Sequence, residues 1–133
     1  MTFSLKFIAH KRHRYETVGD YFYKRGVWHF RVSKMKDPRY CWLVFLHEII
    51  EWTICKLTKV PWRAIDRFDM DYEQARGPEH APMPCGCSPY DEPGDDPHAP
   101  YRDAHLAATA CEKIIAKALR VPWPLYEEAV EKL

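Results

Sequence analysis

Nowhere does this 133-residue chain hold an apolar run near the ~18 residues of a membrane span, so no bilayer-crossing helix is expected. Its first fifteen residues, MTFSLKFIAHKRHRY, have neither a long apolar segment nor a small-residue cleavage site, which argues against a signal peptide. Cysteine is sparse: five residues, an odd number, suit reduced thiols in a cytoplasm better than a disulfide framework. Net charge is almost absent at +1, yet it is unevenly spread. Residues 1–40 hold ten Lys or Arg against three acids, a balance of +7, and the remainder carries −6. A basic front of this kind can meet nucleic acid, the chain's own acidic half, or a second copy.

What is present suffices for one core. With 47% hydrophobic and 14% aromatic residues, the composition is that of a globular chain, and the length suits a single domain over 1–133. The stretch that organises the rest is LVFLHEIIEWTICKL, residues 43–57, within a longer apolar run over 41–57. At 100° per residue its apolar side chains cover nearly the whole circumference, which predicts a buried helix. Three polar residues interrupt it. His47 and Glu51, four apart, project from one face, with Glu48 beside them. Unpaired carboxylates in an apolar setting cost several kcal/mol or take up a proton. Two of them next to a histidine therefore call for a counter-charge, and a divalent cation supplies it. The motif resembles the zincin signature H-E-x-x-H, in which two histidine ligands flank a glutamate base. Here Glu51 stands in place of the second histidine, and carboxylate oxygen also binds zinc.

Along the chain, residues 2–9 alternate as a strand. His10 and His13 lie in a basic connection and are expected to be solvated surface histidines. Residues 21–23 and 27–32 read as a hairpin around Lys24-Arg25-Gly26, with Gly26 free to take positive φ. Pro38 marks the passage from an antiparallel sheet of two or three strands, within 1–37, to a helical part over 38–133. Pro61 opens a second helix with the apolar stripe Trp62, Ile65, Phe68 and Tyr72. In it, Asp69 is a candidate support for the site. Residues 77–100, rich in Pro, Gly and Asp, predict a long functional loop. That loop carries Cys85 and Cys87 between His80 and His98, a second conceivable zinc set whose C-x-C spacing is unusual. A third helix follows Pro100, with His105, Thr109 and Glu112 on one face and small neighbours Ala107, Ala108 and Ala110. A fourth helix near 124–132 is expected to dock through Trp123, Leu125, Tyr126 and Val130.

Only the first and third helices carry a His and a Glu on one inner face. Packed antiparallel, they bring His47, Glu51 and His105 to a single ion, the His2Glu set of a catalytic zinc. Glu48 is then the general base. Glu112 is a fourth ligand or holds His105 by its other ring nitrogen. Exchanged roles, Glu48 as ligand and Glu51 as base, fit the spacing equally. Zinc suits mixed nitrogen and oxygen donors, and manganese, nickel or ferrous iron fit the same set.

The order of motifs adds a resemblance. Leu-His-Glu-x-x-Glu over 46–51 with Cys55, then Phe68-Asp69, then A-P-Y-x-x-x-H-x-x-A-x-x-x-E over 99–112, resembles a group of small phage and prophage proteins. The resemblance covers roughly residues 40–130 and implies that His47, Glu48, Glu51, His105 and Glu112 act together. It implies no particular reaction. The resulting expectation is an α+β fold, an N-terminal antiparallel sheet followed by four helices around a zincin-like core. Its first function is a metal-dependent hydrolase acting on a peptide or another amide or ester bond. The alternatives are a metal-stabilised accessory protein that binds a host protein or nucleic acid without catalysis, and a metal-free buried hydrogen-bond network.

Overall fold

A computed structural model describes residues 1–76 and 92–133 and shows an α+β chain, a three-stranded sheet followed by four helices. The strands are β1 (Thr2–Ile8), β2 (Gly19–Lys24) and β3 (Val27–Ser33), in the order β1-β3-β2. The hairpin β2–β3 closes on Arg25 and Gly26, whose φ angles of 51° and 79° are both positive, as a type I′ turn requires.

The sheet is mixed rather than antiparallel, because β1 runs parallel to β3, from Thr2 opposite Val27 to Ile8 opposite Ser33. The reason lies in β3. Its Trp28, Phe30 and Val32 are all buried, so it takes the central position where both edges are paired. It returns from the hairpin in the direction of β1 and separates β1 from β2. His10 and His13 also depart from expectation: each ring places a nitrogen 2.9 Å from the Ser33 hydroxyl and ties the β1–β2 connection to the end of β3. Burial, reinforced by His10, pushes the His13 imidazole down to about 4.

Helix α1 (Pro38–Leu57) begins at Pro38, where the helical part is expected to start, three residues ahead of the apolar run over 41–57. The Asp37 side chain accepts the Arg39 N–H at 2.9 Å, and Pro38 fills a first-turn position that needs no donor. One side of α1 meets the sheet through Phe45 against Phe30 and Trp52 against Trp28, edge-on at 5.8 and 5.5 Å. Phe30 is 1% exposed, and truncating such a residue costs about 3–5 kcal/mol.

α1 also packs along α3 (Arg102–Ala118). Ala104, Ala108 and Ala116 are the small buried residues that permit this approach, whereas Ala107 is half-buried and Ala110 exposed. α2 (Trp62–Arg76) buries Ile65 and Tyr72 as its stripe predicts. α4 (Trp123–Glu131) docks through Tyr126, while Leu125 points outward at 54% exposure. No helix among the described residues is long and apolar enough to cross a membrane.

Two apolar clusters result. One joins Tyr21, Trp28, Phe30, Cys55, Ile65 and Ala104; the other joins Val32, Leu43, Val44, Ala116 and Tyr126. Along α1, His47 and Glu51 fall between Val44 of the second cluster and Cys55 of the first. The expected loop at 77–100 is described only from residue 92, where Pro93–Asp95 form a 3-10 turn against α3. His80, Cys85 and Cys87 lie outside the described residues; His98 pairs with Asp96 at 3.1 Å.

Candidate metal centre

The four-residue spacing on α1 places His47 and Glu51 one above the other on the face turned to α3, and His105 on α3 faces them. His47 Nε2, His105 Nδ1 and Glu51 Oε2 form a triangle with edges of 3.1, 3.3 and 3.3 Å. Donor atoms about 2.1 Å from a tetrahedral zinc stand roughly 3.4 Å apart. These three residues, all buried, could hold a metal ion.

The far side of each ligand decides the chemistry. His47 Nδ1 lies 3.1 Å from Glu112 Oε1, a pairing in which the ring N–H donates to the carboxylate oxygen. The neutral ring then turns a bare lone pair on Nε2 towards the triangle. His105 repeats the arrangement with its nitrogens exchanged. Its Nε2 sits 3.2 Å from both Glu92 and Asp95, which leaves the Nδ1 lone pair facing inward. Glu51 is gripped from behind by the Tyr21 hydroxyl, which donates to Oε1 at 3.0 Å and leaves Oε2 facing both rings. With both rings neutral in these tautomers, three acceptors converge at contact distance. Only protons or a cation relieve that.

The proton affinities report the same field. Burial pulls the His47 imidazole down, but the Glu112 and Glu51 carboxylates outweigh it and raise the group to about 10. Burial likewise opposes His105, and Asp95, Glu51 and Glu92 carry it up to about 12. Against its own burial, Glu51 is held below its usual range by His105 and His47. Protonating both rings, however, turns two N–H groups towards each other across 3.1 Å. A single protonated ring that donates to its neighbour and to Glu51, or a divalent cation held by all three, avoids that conflict.

No protein-family model, curated protein or solved structure matches this chain.

Glu48 lines the same cleft, a space of about 720 Å3 that runs from the ligand triangle to Asp69 and Tyr101. Burial, and then the Glu51 carboxylate, push Glu48 well above the ordinary carboxylate range. Gly19 lies directly behind it: a Cβ there would stand 2.5 Å from Glu48 Oε1, so only glycine leaves room for this rotamer. Asp69, expected to support the site, bonds no ligand. It accepts from the hydroxyls of Tyr15 and Tyr101 in the cleft wall, and burial raises it to about 8.

Glu112 departs from expectation. Neither a member of the triangle nor the partner of His105, it holds His47 from behind and is itself held by the Tyr126 hydroxyl at 2.5 Å. Glu92 and Asp95 take the place expected for Glu112 beside His105. Gly94, between them in sequence, lies so close to the His105 ring that a Cβ would fall 2.3 Å from it. The sequence offered one signal for this turn, a proline directly before a glycine at 93–94.

Proposed function

We propose that this protein is a metal-dependent hydrolase with a zincin-like H-E-x-x-E centre, in which His47, Glu51 and His105 hold a divalent ion, zinc by preference. What carries the reading is the convergence of three lone pairs whose other atoms are already committed: His47 to Glu112, His105 to Glu92 and Asp95, Glu51 to Tyr21. Structural zinc sites are commonly closed by four protein ligands, whereas three ligands beside an open cleft suit catalysis. The ion would supply Lewis acidity towards a carbonyl oxygen of a peptide, amide or ester.

The chain's own residues do the rest. Glu48, held against Gly19, takes a proton from the attacking water and passes it to the leaving group. It can do so only as a carboxylate, a form that burial disfavours and a neighbouring cation favours. Asp69, with Tyr15 and Tyr101, lines the cleft that receives the substrate. A cytoplasmic location and kinship with small phage proteins belong to the same reading.

The test uses the full chain purified without a histidine tag. Elemental analysis should find about one zinc per molecule, and labelled casein or a chromogenic ester should be cleaved. Glu48→Gln should keep the zinc and lower turnover by roughly 10²–10⁴-fold. Metal-free protein at full folding would end the reading. Zinc retained without hydrolysis would leave a metal-stabilised accessory protein in its place.

A further inference from the structure

On the side of the sheet away from the helices lies a second surface of opposite character. Strand alternation puts Phe3, Tyr21, Trp28 and Phe30 against α1, and therefore Lys6, Phe22, Lys24, His29 and Arg31 on the other face. The register sets Lys6 opposite Arg31 and Phe22 opposite His29. The Phe22 and His29 rings stack at 5.1 Å with 18° between their planes. The Arg31 guanidinium is fixed 2.9 Å from His29 Nδ1. Together with Lys24, Arg25 and Val27, these groups line a shallow depression of about 370 Å3 that contains no carboxylate.

Lys6, Lys24 and Arg25 are exposed, and Arg31 is anchored on His29, Ser4 and the Phe30 carbonyl. Asp20, opposite Arg31, is already held at both oxygens by Arg14, and among the described residues no carboxylate lies against Lys6, Lys24 or Arg25. Planar side chains fixed at strand spacing, edged by unpaired cations, match the two parts of an unstacked polynucleotide: flat bases and a phosphate chain. Insertion into a lipid surface would require projecting apolar groups, and here Phe22 and Val27 are half-buried while Lys24 and Arg25 are exposed; purely electrostatic lipid binding is an outcome of the test below.

We propose that the outer face of the sheet binds single-stranded nucleic acid, with phosphates on Lys6, Lys24, Arg25 and Arg31 and a base against His29. The surface is independent of the candidate metal centre, so either can fail alone.

Fluorescence anisotropy with a labelled fifteen-residue oligothymidylate tests it. Saturable binding is expected at 50 mM NaCl, weakening with salt at a logarithmic slope of about −2 to −3, as three to four released counterions require. Lys6→Glu combined with Lys24→Glu should weaken binding at least tenfold while metal content and circular dichroism stay unchanged. His29→Ala should cost about fivefold or more through lost stacking. The double variant spares Arg25, whose left-handed φ makes replacement there structurally ambiguous. The proposal is overturned by any of four results: no saturable binding, affinity indifferent to the double variant, equal affinity for a duplex of the same length, or vesicles containing phosphatidylserine captured in preference to the oligonucleotide.

Discussion

The cleft and the outer sheet face treat charge in opposite ways. In the cleft, carboxylates are drawn together, and three of them are tied to a ring nitrogen or a hydroxyl: Glu112 to His47 and Tyr126, Glu51 to Tyr21, Asp69 to Tyr15 and Tyr101. On the sheet face, Lys6, Lys24 and Arg25 stand in solvent without partners among the described residues. Buried acceptors that converge within 3.1–3.3 Å, as on His47, Glu51 and His105, favour a proton or a cation at one fixed point. Exposed like charges spread along strands repel one another weakly and attract any extended anion, which makes a surface. The chain's near-zero net charge conceals this division.

The sharpest break of the comparison is Glu48→Gln. If the cleft is catalytic, hydrolysis should fall by roughly 10²–10⁴-fold while zinc content and oligonucleotide binding both persist. Next comes a ligand. Binding energies of roughly 10–16 kcal/mol for structural zinc, shared over four ligands, come to about 3 kcal/mol each. His105→Ala should therefore weaken zinc by a hundredfold or more, measured by competition with a chromogenic chelator. Full retention would remove His105 from the ligand set. A smaller effect tests the turn behind His105: Gly94→Ala drives a methyl into the ring and should cost about 10–100-fold in zinc affinity. An unchanged affinity there would show that the turn merely covers the histidine.

These residues also show how far local sequence reaches. His47 and Glu51 were legible because four-residue spacing fixes a shared face whatever the helix packs against. His105 was legible because only one other helix carried a histidine and a glutamate on one face. The partner of Glu112 was not, since which ring nitrogen meets which carboxylate depends on how far one helix slides along the other. Glu92, Gly94 and Asp95 lay hidden in a stretch whose proline and glycine signal a turn but not its destination. The same limit applies to β1: alternation identifies a strand and its inner face, while its parallel pairing with β3 is decided by which strand buries most.

The smallest effect concerns pH, and its sign separates the two possible occupants of the triangle. Without metal, His47 and His105 are raised to about 10 and 12 from about 6.5 in the unfolded chain. Groups raised by folding contribute stability that is complete below the unfolded value and lost as pH climbs through the folded one. Asp69, raised to about 8 by burial, acts in the same direction, whereas Glu51, held low, matters only as pH falls below its ordinary range. Metal-free protein should thus melt at progressively lower temperature from pH 6.5 to 10, by several degrees at roughly 3–6 °C per kcal/mol. Zinc binding requires deprotonated ligands and strengthens over the same interval. The gap between the melting temperatures of zinc-loaded and stripped protein should therefore widen with pH, as calorimetry on matched samples would measure. A gap that stays constant would mean that zinc does not compete with protons at His47 and His105, and so binds elsewhere.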